Sequence, residues 1–360
     1  MTVVNADALL PAPNPRQLLD PDGQPSDPGA TLPPAEVLLD LYRRMVVGRR
    51  FDSQATALTK QGRLAVYPSA RGQEACQIGS VVAMADRDWL FPTYRDSMAM
   101  VSRGINPVEV LTLLRGDWHC GYDPYLYRTA TQCTPLATNT LHAVGLAHAA
   151  RLAGEDTVAV VLVGDGATSE GDTHEALNIA AVWQAPVVFL VQNNGYAISV
   201  PLSKQTRAAH LADKGVGYGM PGVLIDGNDA AMVHTAMTEA IERARAGGGP
   251  TLIEALTYRI EAHTNADDAS RYRSDSEVAE WLARDPIERL EKYLLSQGIL
   301  DQDEQRLVTA EAEAKAERLR AALNADATLD PAEIFSHVYT EPTANLRSQA
   351  GQLAAELEAS

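Results

Sequence analysis

Asp165 and Asn194 stand 29 residues apart in a chain of 360. The first lies within Gly164-Asp165-Gly166 and the second opens Asn194-Gly195-Tyr196. One anionic oxygen and one neutral amide oxygen suit Mg²⁺, a hard cation that keeps further positions for water and phosphate oxygens. A backbone carbonyl of the Asn194-Gly195-Tyr196 loop is placed to join that shell. Gly164 and Gly166 let a diphosphate approach the main chain closely, and a helix starting just beyond them turns free N–H groups toward the same anion. Each piece also has a plainer reading. Gly-Asp-Gly is most often a tight turn, and Asn-Gly after a strand is a common hairpin turn. A hairpin there would break a parallel arrangement, so the surrounding elements decide.

Those elements read as strand, helix, strand. Residues 157–163 (TVAVVLV) and 187–192 (VVFLVQ) are apolar runs rich in β-branched residues, and 170–183 between them has helical character. Two such strands joined by a helix imply a right-handed parallel crossover buried on both faces. Asp165 and Asn194 then emerge at the carboxyl ends of neighbouring strands, where open parallel sheets bind ligands. Helices are expected at 34–59, 72–85, 106–115, 138–152 and 230–246, with another strand at 251–256. The fold class is therefore α/β, a doubly wound and mostly parallel sheet. Residues 1–34 carry eight of the twenty prolines and form an extended arm without a core of its own, either disordered or lying across a partner. The α/β domain spans 35–285, and a charged helical extension occupies 286–360, with helices at 287–297 and 302–323.

The stretch GDGATSEGDTHEALNIAAVWQAPVVFLVQNNGYAISVP, residues 164–201, resembles the thiamine diphosphate motif of thiamine enzymes. More narrowly, EALN, AISVP, DGND and TLIEALTYR resemble the alpha subunits of the pyruvate and branched-chain 2-oxoacid dehydrogenase complexes, over about 39–338. The resemblance implies the thiamine diphosphate-binding fold, with Asp165 and Asn194 as Mg²⁺ side-chain ligands and the Tyr196 carbonyl as a third. It implies that Gly166 and Ala167, beside Gly164, meet the diphosphate through backbone N–H groups. FPTYRDS, residues 91–97, resembles the cofactor-contacting loop, so Tyr94 and Arg95 would bind the diphosphate, the arginine through charge-assisted hydrogen bonds. Without that context Arg95 reads equally as a surface ion pair with Asp96.

TYRIEAHTNADDASRYRS, residues 257–274, resembles the family's mobile active-site loop. His263 would there act beside the cofactor, as a near-neutral donor to the 2-oxoacid carbonyl or in acyl transfer. Arg259, Arg271, Arg273 and Asp267 would order the loop. A lone histidine is more often structural or solvated, and the chain has eight. CTPLATN, residues 133–139, resembles a loop of the branched-chain members that binds a monovalent cation, K⁺, and supplies an apolar wedge under the bent cofactor. Leu136 and Ile198 are the wedge candidates; the alternative is that both are ordinary core.

Two departures stand out. WHCGYDPYLYRTATQC, residues 118–133, lacks the histidine that ends the family's loop there, and His119 receives no role. Gln192 stands where some branched-chain members carry a phosphate-binding arginine, so that contact is missing.

The resemblance implies oxidative decarboxylation of a 2-oxoacid and acyl transfer to the lipoyl group of an acyltransferase component. Branched-chain acids such as 3-methyl-2-oxobutanoate are favoured over pyruvate, because CTPLATN, DGND and YLLSQG resemble the branched-chain subunits; GQEACQIGS resembles the pyruvate enzymes as closely. The chain offers no second parallel unit after residue 285. The carboxylate on the aminopyrimidine would come from a separate beta subunit in an α₂β₂ heterotetramer.

The bulk numbers agree with a soluble enzyme. A net charge of −17 disfavours nucleic acid, no apolar run is long enough for a bilayer, and no secretory signal opens the chain. Three dispersed cysteines, Cys76, Cys120 and Cys133, without a CxxC pair fit reduced thiols in the cytoplasm. An NAD-dependent dehydrogenase is disfavoured, since no GxGxxG follows a first strand. A scaffold subunit that has lost its site is disfavoured by the presence of Asp165, Asn194 and His263 together.

Overall fold

A computed structural model describes residues 8–116, 120–325, 330–336 and 338–359. Its strands are β1 (Trp89–Phe91), β2 (Ala159–Gly164), β3 (Val187–Asn193), β4 (Tyr196–Ala197), β5 (Val200–Pro201), β6 (Gly222–Asp226) and β7 (Thr251–Leu256). Among the described residues a five-stranded sheet runs β1-β2-β3-β7-β6, every neighbouring pair parallel. The β2–β3 register sets Gly164 opposite Gln192, and so carries Asp165 and Asn194 out of the sheet at the same edge. The Asn-Gly turn does lead into a hairpin, the antiparallel ribbon β4–β5, but it begins beyond β3 and leaves the parallel pairing intact.

Helices wrap both faces: α1 (Ala35–Lys60), α2 (Glu74–Ala83), α3 (Ser97–Ser102), α4 (Pro107–Arg115), α5 (Pro124–Tyr127), α6 (Thr138–Ala153), α7 (Gly171–Trp183), α8 (Asp213–Tyr218) and α9 (Ala230–Arg243). Alternate strand residues feed two cores, as the pleat requires. Val160 and Leu162 of β2 with Val188 and Leu190 of β3 join Leu41, Met45, Ile78, Val233 and Met237 from α1, α2 and α9. Val161, Val163, Phe189 and Val191 face the other way, onto Ala143 and Ala147 of α6 and Ala176 and Ala180 of α7. α9 ends at Arg243, short of the expected 246, where the chain loosens into a wider turn containing Gly247 at φ +81°.

After β7 come α10 (Asp275–Leu282), α11 (Pro286–Ser296), α12 (Gln302–Asn324), α13 (Glu333–Ser336) and α14 (Ala344–Ala359). α12 buries Val308, Ala312, Ala316, Leu319 and Leu323, a stripe at helical spacing, and packs on α1. Arg43–Glu311 and Arg50–Glu313 ion pairs flank that contact. α14 buries none of its residues. The described part of the arm, 8–34, lies along β6: Arg16 donates its N–H to the Leu224 carbonyl at 2.9 Å and accepts from the Asp226 N–H at 3.0 Å. The Leu18 and Leu19 N–H groups both reach Asp229 Oδ2 at 2.7 Å, and both leucines are buried. No helix among the described residues is long and apolar enough to cross a membrane.

Candidate active site

A cavity of about 390 Å³ opens at the carboxyl ends of β2 and β3. Tyr94, Arg95, Leu136, Gly164, Asp165, Gly166, Ala167, Asn194, Tyr196, Ile198 and His263 all line it. Segments at 94–95, 136, 164–167, 194–198 and 263 therefore meet in one place, as the sheet edge and the loops after β1, β2, β3 and β7 require.

Asp165 directly follows β2 and is 1% exposed. Its Oδ2 accepts a hydrogen bond from Gln205 Nε2 at 2.7 Å. Burial pushes its carboxyl above the usual carboxylate range, and the Gln205 bond offsets this only in part. Asn194 follows β3 and is buried; its Oδ1 accepts the Tyr196 N–H at 3.2 Å, and its Nδ2 donates to Gln73 Oε1 at 3.3 Å. Gly195, at φ +84°, makes the turn between them possible. The Tyr196 hydroxyl leaves the cavity to donate to Glu277 of α10 at 3.0 Å.

A buried carboxylate beside a carboxamide, with burial raising the acid's proton affinity, fits a hard divalent cation. Among the described residues no group of three or more His, Cys, Asp or Glu gathers as metal ligands, so neutral oxygens would complete such a shell. A diphosphate fits as well. A Cβ on Gly166 would come within 2.7 Å of the Ala197 Cβ, so only glycine keeps the strand-to-turn passage this close. Residues 166–169 form a single 3-10 turn, and α7 begins at Gly171, one residue from the start of the helix expected at 170–183. Arg95, Arg259 and Lys204 line the same cavity. Arg259 is buried, its Nε has no partner, and burial followed by the nearby Arg95 charge lowers its proton affinity. These three cations exceed the two lining carboxylates, Asp165 and Glu170, as an anion would need.

Arg95 is not the surface partner of Asp96. It is buried, with Nη1 donating to the Ser69 carbonyl at 2.8 Å, while Asp96 accepts from Thr93 and Gln192. Arg95 Nη2 instead reaches both the carbonyl and Nδ1 of His263, each at 3.0 Å. Arg259 Nη1 approaches the same Nδ1 at 3.3 Å. Guanidinium groups only donate, so Nδ1 must accept and the ring proton must sit on Nε2. Desolvation, then Arg95, then Arg259 lower the imidazole pKa from 6.5 to about 4. His263 is consequently a neutral ring at pH 7 with an N–H to donate.

The loop carrying His263 is tied down at several points. Asp267 Oδ2 accepts the His263 N–H at 2.8 Å and the Tyr272 hydroxyl. Arg273 donates to the Arg259 and Ile260 carbonyls, and Arg259 Nη2 to Tyr272 Oη at 2.8 Å. Arg271, expected to help order the loop, is exposed. Leu136 and Ile198 are not core: they are 36% and 54% exposed. Ile198 also has φ +55°, the left-handed region that a β-branched side chain rarely enters. Its carbonyl accepts from Arg259 Nη2 at 2.7 Å, which helps hold that conformation.

Residues 133–139 lie beside the cavity through Leu136, and Thr93 pairs with Cys133. Asn139 Nδ2 donates to the Leu162 carbonyl at 2.9 Å, and the buried Oε1 of the preceding Gln132 has no partner. His119 lies outside the described residues. Sequence reasoning missed Gln73, Gln192 as a structural member, and Gln205. These amides link Asn194 through Gln73 Nε2 and Gln192 Oε1 (3.1 Å) to Asp96 (2.7 Å), and Gln205 to Asp165. Glutamines carry no periodic or charge signal, and only the tertiary fold brings them together.

Residues 42–331 match the model of the family described as dehydrogenase E1 component. The chain is 48% identical over 345 residues to 3-methyl-2-oxobutanoate dehydrogenase subunit alpha of Mycobacterium tuberculosis, covering 95% of this chain and 94% of that one. It is 40% identical over 280 residues to pyruvate dehydrogenase E1 component subunit alpha of Staphylococcus aureus, covering 78% and 76%.

Proposed function

Since the chain belongs to the dehydrogenase E1 component family, we propose that it is the alpha subunit of a thiamine diphosphate-dependent enzyme that oxidatively decarboxylates a branched-chain 2-oxoacid such as 3-methyl-2-oxobutanoate. The acyl group passes to the lipoyl group of an acyltransferase component. The observation that carries this reading is the convergence of Asp165, Asn194, Arg95 and His263 on one cavity at the sheet edge. The branched substrate is preferred over pyruvate because the identity to the 3-methyl-2-oxobutanoate relative is higher and spans more of the chain.

In this reading Asp165, Asn194 and the Tyr196 carbonyl hold Mg²⁺, and residues 133–139 hold K⁺, for which the unpartnered Gln132 Oε1 is a suitable neutral donor. Thiamine diphosphate, when bound, supplies the electron sink for the carbon–carbon cleavage. Arg95, Arg259 and the N–H groups of Gly166 and Ala167 neutralise the diphosphate. Leu136 and Ile198 keep water from its rings. His263 donates its Nε2 proton as a hydrogen bond to the oxygen of the 2-oxo group, and stays neutral because the ring is largely buried and two guanidiniums face its other nitrogen. The carboxylate that must face the aminopyrimidine comes from a separate beta subunit, consistent with relatives named as alpha subunits, so active sites form between subunits of an α₂β₂ assembly. Residues 35–285 are the cofactor-binding domain, flanked by the arm at 1–34 and the extension at 286–360, and the enzyme works in the cytoplasm.

The test is dye reduction by the chain co-produced with its beta subunit, with and without thiamine diphosphate and Mg²⁺. A strong preference for 3-methyl-2-oxobutanoate is expected. A preference for pyruvate would keep the chemistry and replace the substrate, and no thiamine-dependent turnover with either acid would overturn the reading.

A further inference from the structure

Glu254 lies inside β7, in the run Thr251–Leu256 (TLIEAL), and is 1% exposed. A carboxylate there is costly, since burial disfavours its charged form, and an apolar residue would suit a central strand better. Its two oxygens have separate tasks. Oε1 accepts from Asn193 Nδ2 at 2.7 Å, and Oε2 accepts from the Ala212 N–H at 2.9 Å. Asn193 in turn takes the Gly195 N–H on its Oδ1 at 3.1 Å, shaping the turn that presents Asn194. Ala212 closes the segment that begins at Gln205, whose Nε2 meets Asp165 Oδ2 at 2.7 Å. One buried carboxylate therefore anchors, from behind the cavity, both segments that address the candidate metal ligands. It touches neither ligand itself.

We propose that Glu254 is a positioning residue that sets the spacing of Asp165 and Asn194 by gripping the turn at Asn193 with one oxygen and the segment ending at Ala212 with the other. The inference rests on the reading of Asp165 and Asn194 as Mg²⁺ ligands. Glu254→Gln keeps the shape but turns an N–H₂ toward one of two N–H donors, so one grip must break. Calorimetric titration of Mg²⁺ at saturating thiamine diphosphate, on the full chain with its beta subunit, reads the result. The Mg²⁺ Kd of Glu254→Gln is expected to rise about 10- to 100-fold, as for other groups that orient metal ligands. Turnover at saturating Mg²⁺ should fall far less than the affinity does, a split that general misfolding would not give. Asn193→Ala breaks the first grip, and the Gly195 bond with it, while leaving the grip on Ala212; it should show the same direction of change, which keeps the idea testable if Glu254→Gln fails to fold. Mg²⁺ affinities in both variants equal to that of the parent chain would sink the proposal alone. Absence of Mg²⁺-dependent cofactor binding in the parent chain would sink the metal reading with it.

Discussion

Nη2 of Arg95 sits 3.0 Å from Nδ1 of His263, although the two residues are 168 positions apart in the chain. The arginine belongs to the loop after β1 and the histidine to the loop after β7. Their contact joins the residue proposed to hold the diphosphate to the group proposed to meet the substrate. A second guanidinium, from Arg259, bounds the same nitrogen.

The first expectation concerns titration. His263 in the cofactor-free chain should titrate with a midpoint of about 4, against 6.5 for an unperturbed ring. Between those values the unfolded chain binds more protons than the folded one. The neutral ring's contribution to stability is therefore complete above pH 6.5 and is lost as pH falls toward 4. NMR of the imidazole Cε1–H reports the midpoint directly; a value near 6.5 would mean that in solution the ring is neither buried nor faced by the guanidiniums.

Replacing Arg259 tests the same arrangement from the other side. Arg259→Lys keeps a positive charge but cannot span the Ile198 carbonyl, the Tyr272 hydroxyl and His263 at once. Turnover should drop by up to about 100-fold, the cost of misplacing a reacting group by about 1 Å, and protease cleavage within 260–273 should quicken. Unchanged cleavage and turnover would show that the loop is ordered by other contacts.

Asp165→Asn should separate binding from folding. Burial holds the carboxyl above its usual range, so removing its charge relieves a cost in the metal-free chain. The variant should be as stable as the parent or more so, by up to ~1–2 kcal/mol, in thermal or urea unfolding. It should at the same time lose Mg²⁺-dependent cofactor binding. Full binding by the variant would remove Asp165 from the metal site.

Ile198→Gly removes a side chain from a backbone at φ +55°. Relief of about 1–2 kcal/mol of left-handed strain is set against glycine's entropic cost of roughly 0.5–1 kcal/mol, and little packing is lost from a half-exposed residue. The metal-free chain should thus keep or slightly gain stability while its cofactor affinity falls. A clear loss of stability would make Ile198 a packing residue after all.

Much of this was readable before the fold was known, and the reasons are specific. β2 and β3 are apolar on both faces, so their runs are continuous and their ends sharp, which located Asp165 and Asn194 at one edge. β1 has only three residues, too few for any periodicity, and β6 (GVLID) is hidden behind a glycine-rich turn. The 3-10 turn after Asp165 and the left-handed backbone at Ile198 have no local signal in the sequence. Arg95 was ambiguous because Asp96 is its chain neighbour; only the tertiary fold gives Asp96 to Thr93 and Gln192 and leaves Arg95 for His263. The arm posed a similar question, and residues 16–19 answer it by lying on their own chain.

That last contact has a bearing on synthesis. The Leu18 N–H bonds to Asp229, 211 residues later. At about 5–20 residues per second, on the order of ten to forty seconds separate the emergence of the two groups from a ribosome. Until then the Leu18 and Leu19 N–H groups lack this carboxylate, and the prolines around them favour an extended, open segment over premature collapse. The arm is made well before the groups it docks on, so it acts as a latch that closes only over a completed β6 and α9.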